Sequence, residues 1–149
     1  MLTTAPHITT TKMRTINEII IHCTATPFGK DYTADDIRRW HIKEGKNDIA
    51  YHFLIHLDGT MEMGRPLATV GAHTKGHNVS SVGIAYVGGL DMNGRPYDTR
   101  TLNQKTTMDA LIFILKKMFP KAVVYGHRDF AKKDCPCFDA KAEYYRITQ

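Results

Sequence analysis

Apolar residues follow two rhythms along this chain, and the change from one to the other marks its elements. Residues 16–23 contain the unbroken run Ile19-Ile20-Ile21, apolar on both faces, as expected of a central strand covered from both sides. His22 stands at its C-terminal end. Thr33 and Asp36 have the spacing of a capping box. Ile37, Trp40, His41 and Glu44 follow at helical spacing before Gly45, so a helix is expected over 33–44. Tyr51 to Leu57 is aromatic and branched and runs into Asp58-Gly59, a hairpin turn signal, with residues 60–63 returning; Tyr51 is expected to open this strand.

A further strand is expected over 82–87, ended by Gly88-Gly89. Residues 91–101 read as an exposed polar loop with Asn93-Gly94 and Pro96. Thr101 and Gln104 form a second capping box. Met108, Leu111, Ile112, Leu115 and Met118 then mark the apolar face of the main packing helix, which stops before Pro120. Residues 122–125 form a short strand delivering Gly126-His127. An irregular loop over 128–138 holds Cys135-Pro136-Cys137, and Asp139 caps a last helix. The order predicts an α/β fold in one domain, a central mixed sheet flanked by helices. Ligands in such sheets gather beyond strand ends, where His22 and His127 lie.

Composition narrows the picture. A length of 149 residues suits a single domain, expected over 15–149 after a Thr-rich mobile arm at 1–14. Apolar and charged shares of 42% and 23% exclude a disordered chain. The net charge of +5 favours anionic partners such as an acidic wall polymer, but Lys116-Lys117 and Lys132-Lys133 are short pairs of the solvated kind and no nucleic-acid groove is expected. No apolar signal core lies in the first fifteen residues and no run is long enough to span a membrane, so synthesis in the cytoplasm without a signal peptide is expected. Three cysteines cannot make a complete disulfide framework, and the odd count turns attention to metal or catalytic use.

His22, His127 and Cys135 have the donor chemistry of a zinc site, in which three protein ligands and an open fourth position make the catalytic rather than the structural arrangement. Cys23 follows His22 on a strand and should face the other way, as a small buried hydrophobe, while Cys137 stays open as a competing thiolate. A zinc nucleobase deaminase would need H-x-E and P-C-x-x-C, and neither occurs.

The segments His22-Cys23-Thr24-Ala25-Thr26, Tyr51-His52-Phe53, Asp58-Gly59-Thr60, Gly71-Ala72-His73, Ser81-Val82-Gly83-Ile84, Val87-Gly88-Gly89, Gly126-His127-Arg128 and Cys135-Pro136 together resemble the zinc-dependent N-acetylmuramoyl-L-alanine amidases of the bacteriophage lysozyme type. The resemblance spans residues 16–146 and implies the fold shared with peptidoglycan recognition proteins. It also implies a zinc ion on His22, His127 and Cys135, and hydrolysis of the amide between N-acetylmuramic acid and L-alanine in peptidoglycan. Family positions match Tyr51 and Lys133, implying catalytic roles: Lys133 for the oxyanion, Tyr51 for positioning or proton transfer, since a phenol is a poor resting base. His73 and Asn78 fall in the loop that implies substrate binding; His77 receives no role, and His52 and His56 look structural. Arg128 and Lys132 flank the metal loop where stem-peptide carboxylates would pass, and no glutamate base stands within the motifs. A monomer acting on the cell wall is expected. The alternative is a peptidoglycan-binding module of the same fold without catalysis, which the presence of Cys135 disfavours.

Overall fold

The computed structural model describes residues 12–147; most of the arm expected over 1–14 lies outside the described residues. Arg14 is already tethered, donating to the carbonyls of Leu67 (3.0 Å), Val79 (3.1 Å) and Ser81 (3.1 Å).

In chain order the elements are β1 (Glu18–Cys23), β2 (Thr26–Pro27), α1 (Ala34–Lys43), β3 (Phe53–Ile55), β4 (Met61–Met63), β5 (Ser81–Tyr86), β6 (Gly89–Leu90), α2 (Leu102–Met118), β7 (Val123–Gly126) and α3 (Ala140–Glu143). The main sheet runs β4-β3-β5-β1-β7, parallel except for the antiparallel edge pair β3–β4, and β2 and β6 form a small parallel pair. Both capping boxes form: Thr33 and Asp36 at α1, Thr101 and Gln104 at α2. Each satisfies two backbone N–H groups that a helix start leaves unpaired. Asp139 caps α3 by accepting from the Ala142 N–H.

The sheet is covered on both faces. On one side Met108, Leu111, Ile112 and Leu115 of α2 pack with Tyr144 against Ile19, Ile21, Val82, Ile84 and Val124; on the other, Ala34 and Ile37 of α1 pack on Leu54, Ala85 and Val87. This two-sided burial explains why β1 and β5 have no polar face.

Two expectations change. Tyr51 does not open β3 but stands two residues before it; the Tyr51 carbonyl accepts from the Arg65 N–H and the His52 N–H donates to the Gly83 carbonyl, so pairing begins irregularly there. The 91–101 loop is not exposed throughout, because Thr99 and Arg100 are buried. The Arg100 guanidinium pairs with Asp98 and Glu143 and lies 3.3 Å from the Phe138 ring centroid, so its charge is compensated where it is buried.

Candidate active site

Parallel pairing builds the core of the site. β1 and β7 run side by side in a register that places Ile21 opposite Gly126, so the next residues, His22 and His127, emerge together at one edge with ring centroids 4.7 Å apart. Cys135 arrives because the chain after β7 folds back: the Arg128 N–H donates to the Cys135 carbonyl at 2.8 Å and the Tyr86 hydroxyl donates to the Pro136 carbonyl at 2.6 Å. The Cys135–Pro136 peptide is cis, and Pro136 fits because residue 126 has no Cβ: one would stand 2.8 Å from the proline Cδ.

One donor atom from each of His22, His127 and Cys135 lies within 4.8 Å of the others, and Cys135 Sγ is 3.8 Å from His22 Nδ1. Ligands on a zinc tetrahedron stand roughly 3.3–3.8 Å apart, given the usual metal–nitrogen and metal–sulfur lengths, so closing this triangle needs movement of about 1 Å. The donor set and spacing fit zinc. Protonation supports the same fit. Burial, then the neighbouring His73, His127 and Lys133, holds His22 well below the ordinary imidazole range, and burial followed by Lys133 lowers His127, so both rings are neutral donors.

The three sulfurs are not equivalent. Cys135 is lowered, first by its hydrogen bond with the Cys23 thiol, with the Cys23 N–H donating to Sγ at 3.3 Å. Cys23 is pushed up to about 12, first by that same bond, and sits in the core beneath β1. Cys137 is also raised, by its hydrogen bond with Cys23 and by burial, and its thiol donates to the Gly89 carbonyl at 3.3 Å. Of the three thiols only Cys135 is lowered and lies with His22 and His127, whereas Cys137 turns to Gly89.

Tyr51 lies beside the ligands, its ring 5.2 Å from that of His22 and 5.3 Å from that of His41. Burial raises its phenol above the ordinary range, so it is protonated at neutral pH and can donate; among the described residues its hydroxyl has no hydrogen-bond partner. Lys133 lines the same pocket of about 320 Å³ as His22, Tyr51, His127 and Cys135.

His73 and Asn78 both line a groove beside the metal pocket, and each also has partners inside the fold. His73 is only 7% exposed and stands behind His22: with His22 Nδ1 turned toward the sulfur, its Nε2–H donates to His73 Nδ1 at 2.8 Å, and His73 Nε2–H donates to the Ser81 hydroxyl at 3.2 Å. Its ring occupies a slot that exists because residues 71 and 83 are glycines; a Cβ at either would lie 2.6 Å from His73 Cδ2. Asn78 Oδ1 accepts from the N–H groups of His73 and Thr74, both at 2.9 Å, which shapes the loop from within. His77 is placed too, stacked on Phe130 of the metal loop at 3.8 Å and bonded through Nδ1 to Glu18 at 2.9 Å. Arg128 and Lys132 line a separate depression with Lys133, Asp129 and Asp134. His52 accepts from the Gly83 N–H and donates to the Thr69 carbonyl, while His56 pairs with Asp31 and Glu62, both structural arrangements.

Three residues in the pocket were not singled out for it by the sequence: His41, Glu44 and Lys46. A glutamate is therefore present after all, held 2.8 Å from the Lys46 ammonium, which lowers its carboxyl. Helical spacing marks His41 of α1 and its C-cap Glu44 as neighbours but carries no information about what that end of the helix meets.

Comparison with known proteins identifies the family and the fold. The sequence profile of the family described as N-acetylmuramoyl-L-alanine amidase matches residues 12–138. An endolysin of Klebsiella phage KP32 is 42% identical over 131 residues, covering 88% of this chain and 87% of its own length. An endolysin of Enterobacteria phage K11 is 41% identical over 129 residues, with 87% and 85% covered. Among solved structures, the N-acetylmuramoyl-L-alanine amidase LysC from Clostridium intestinale superposes with a TM-score of 0.76 at 28% identity, over 90% of this chain and 86% of that one. Drosophila PGRP-LB gives 0.73 at 26% identity, over 89% and 81%.

Proposed function

The chain belongs to the N-acetylmuramoyl-L-alanine amidase family, and from that premise we propose that it is a zinc amidohydrolase cutting the amide between N-acetylmuramic acid and L-alanine in peptidoglycan. The convergence of two neutral imidazoles with the single lowered thiol of the three carries this reading.

His22, His127 and Cys135 hold the ion. A zinc ion there supplies a Lewis acid, which polarises an amide carbonyl and brings the pKa of water toward neutrality. The protein groups do the rest. As water adds to the carbonyl carbon, negative charge grows on the oxygen; the Lys133 ammonium and the Tyr51 Oη–H are the donors beside the ligands that can receive it. The proton on His73 Nε2, held by Ser81, leaves Nδ1 free to accept from His22 and so fixes which nitrogen of His22 faces the ion. Asn78 keeps the neighbouring loop in shape and lines the groove beside the metal pocket, where substrate passes.

The protein acts at the cell wall as a monomer. Its three unbridged thiols fit synthesis in a reducing compartment, and no helix among the described residues is long and apolar enough to cross a membrane. Incubating zinc-loaded protein with purified muropeptide and following release of the L-alanine amino terminus by mass spectrometry tests the reading. Cleavage that stops with chelator supports it; binding without cleavage leaves a peptidoglycan-binding module instead.

A further inference from the structure

Three apolar side chains on the outer side of α2 break the pattern of a surface helix. The helix already buries Met108, Leu111, Ile112 and Leu115 against the sheet, yet Phe113 and Ile114 on its other side are 56% and 55% exposed. Met118, expected on the packing face, is 52% exposed and joins them. A helix that packs on one side only carries polar residues on the other. Beside this end of α2 lies a groove of about 530 Å³, lined by Phe113, Lys116, Lys117, Pro120, Arg146 and Ile147. A second, of about 300 Å³, carries Met118 and Lys121 and meets the first at Pro120. No carboxylate lines either groove among the described residues. Lys117, Lys121 and Arg146 pair with no carboxylate there. Lys117 instead lies over the Phe113 ring, 5.1 Å from its centroid, and Lys116 closes the helix end by donating to the Ala122 carbonyl at 2.7 Å. The one acid of α2, Asp109, stands a turn before Phe113 and accepts from the Tyr144 hydroxyl at 2.7 Å.

We propose that this surface docks on an anionic phospholipid bilayer, with Phe113, Ile114 and Met118 entering the interface and Lys117, Lys121 and Arg146 meeting the lipid phosphates. Apolar side chains flanked by long cations are what an interfacial helix presents: the apolar groups leave water at the boundary of headgroups and acyl chains, while the cationic heads stay at the charged level. The apolar part chooses among anionic partners. A polyanionic glycan or nucleic acid would satisfy the cations but leave three large apolar side chains in water, whereas a bilayer takes up both. The docking surface and the metal pocket have no residue in common. α2 covers the sheet face opposite α1, and His41 of α1 lines the metal pocket, so a bilayer against α2 lies across the sheet from that wall of the pocket.

Flotation of the full chain with lipid vesicles tests this. Binding is expected to vesicles of phosphatidylglycerol mixed with phosphatidylcholine, to be far weaker on pure phosphatidylcholine, and to fall as salt rises. Lys117→Gln and Lys121→Gln should each lower the partition coefficient about fivefold at low salt. Phe113→Ser should lower it about tenfold at low and high salt alike, because transfer of an apolar side chain is not screened by ions. All three positions are at the surface, and a wild-type urea midpoint shows that a variant is folded. Equal partition on charged and uncharged vesicles, no partition on either, or wild-type binding by the Lys117→Gln, Lys121→Gln double variant overturns the proposal and leaves the amidase reading as it stands. A concentration-dependent dimer that is lost in Phe113→Ser, with no binding to vesicles, would assign the face to a second copy of the chain and overturns it equally.

Discussion

Gly83→Ala should weaken zinc binding although residue 83 touches none of the ligands. The added Cβ would stand 2.6 Å from His73 Cδ2, 2.7 Å from Cγ and 2.8 Å from Nε2. Ordinary contact begins near 3.4 Å, so the ring must retreat by about 0.8 Å, the difference of 3.4 and 2.6. It has no free direction, being bonded to His22 at 2.8 Å and Ser81 at 3.2 Å and backed by the equally tight slot at Gly71. Backbone strain does not enter, because Gly83 lies within β5 and outside the left-handed region. Overpacking of this kind costs about 1–3 kcal/mol in stability. A retreat of that size also stretches the 2.8 Å His22–His73 bond beyond hydrogen-bonding range, and loss of such a backing bond weakens metal affinity about 10- to 100-fold. Zinc affinity is measured by competition with a chromophoric chelator, and metal-free stability by urea denaturation. His73→Ala removes the backing bond and the clash together, so adding Gly83→Ala to it should change affinity by less than about 0.5 kcal/mol. Wild-type affinity in Gly83→Ala, or two penalties that simply add in the double variant, would refute the role given to His73.

Cys135→Ala should lose zinc, whereas Cys23→Ala and Cys137→Ala keep it, because only Cys135 is the lowered thiol; equal zinc content across all three by atomic absorption rejects the assignment. Lys133→Ala and Tyr51→Phe should retain metal yet turn over about 100- to 1,000-fold more slowly, and unchanged kcat in either removes its proposed contact with the developing oxyanion. Burial lowers His52 to about 4, so between the unfolded value of about 6.5 and that point the unfolded chain binds the proton first and stability falls as pH falls. Between those two values the loss amounts to up to about 3 kcal/mol. Urea midpoints at pH 7, 5.5 and 4 check this, and the slope should lessen in His52→Gln; a flat wild-type profile contradicts it.

Local chemistry was legible in the chain itself. Each capping box is closed by residues three apart, and the Ile19-Ile20-Ile21 run announces a strand covered on both sides whatever its neighbours are. Strand ends also marked His22 and His127, and a Pro-punctuated loop marked a thiol at Cys135 or Cys137, with Cys135 preferred through the family resemblance. The order β4-β3-β5-β1-β7 is a matter of partners far apart in the chain, and only that order puts β7 beside β1 so that both histidines leave the sheet at one edge. Which thiol is lowered depended on where hydrogen bonds arrive: the Cys23 N–H and thiol turn to Cys135, while Cys137 turns to Gly89. His73 lines the expected groove and also backs His22, because glycines 12 positions apart leave its ring a slot. Residue types thus fixed what chemistry was possible, while long-range pairing and the absence of two methyl groups decided which atoms meet, because contact between distant segments depends on packing that no local spacing encodes.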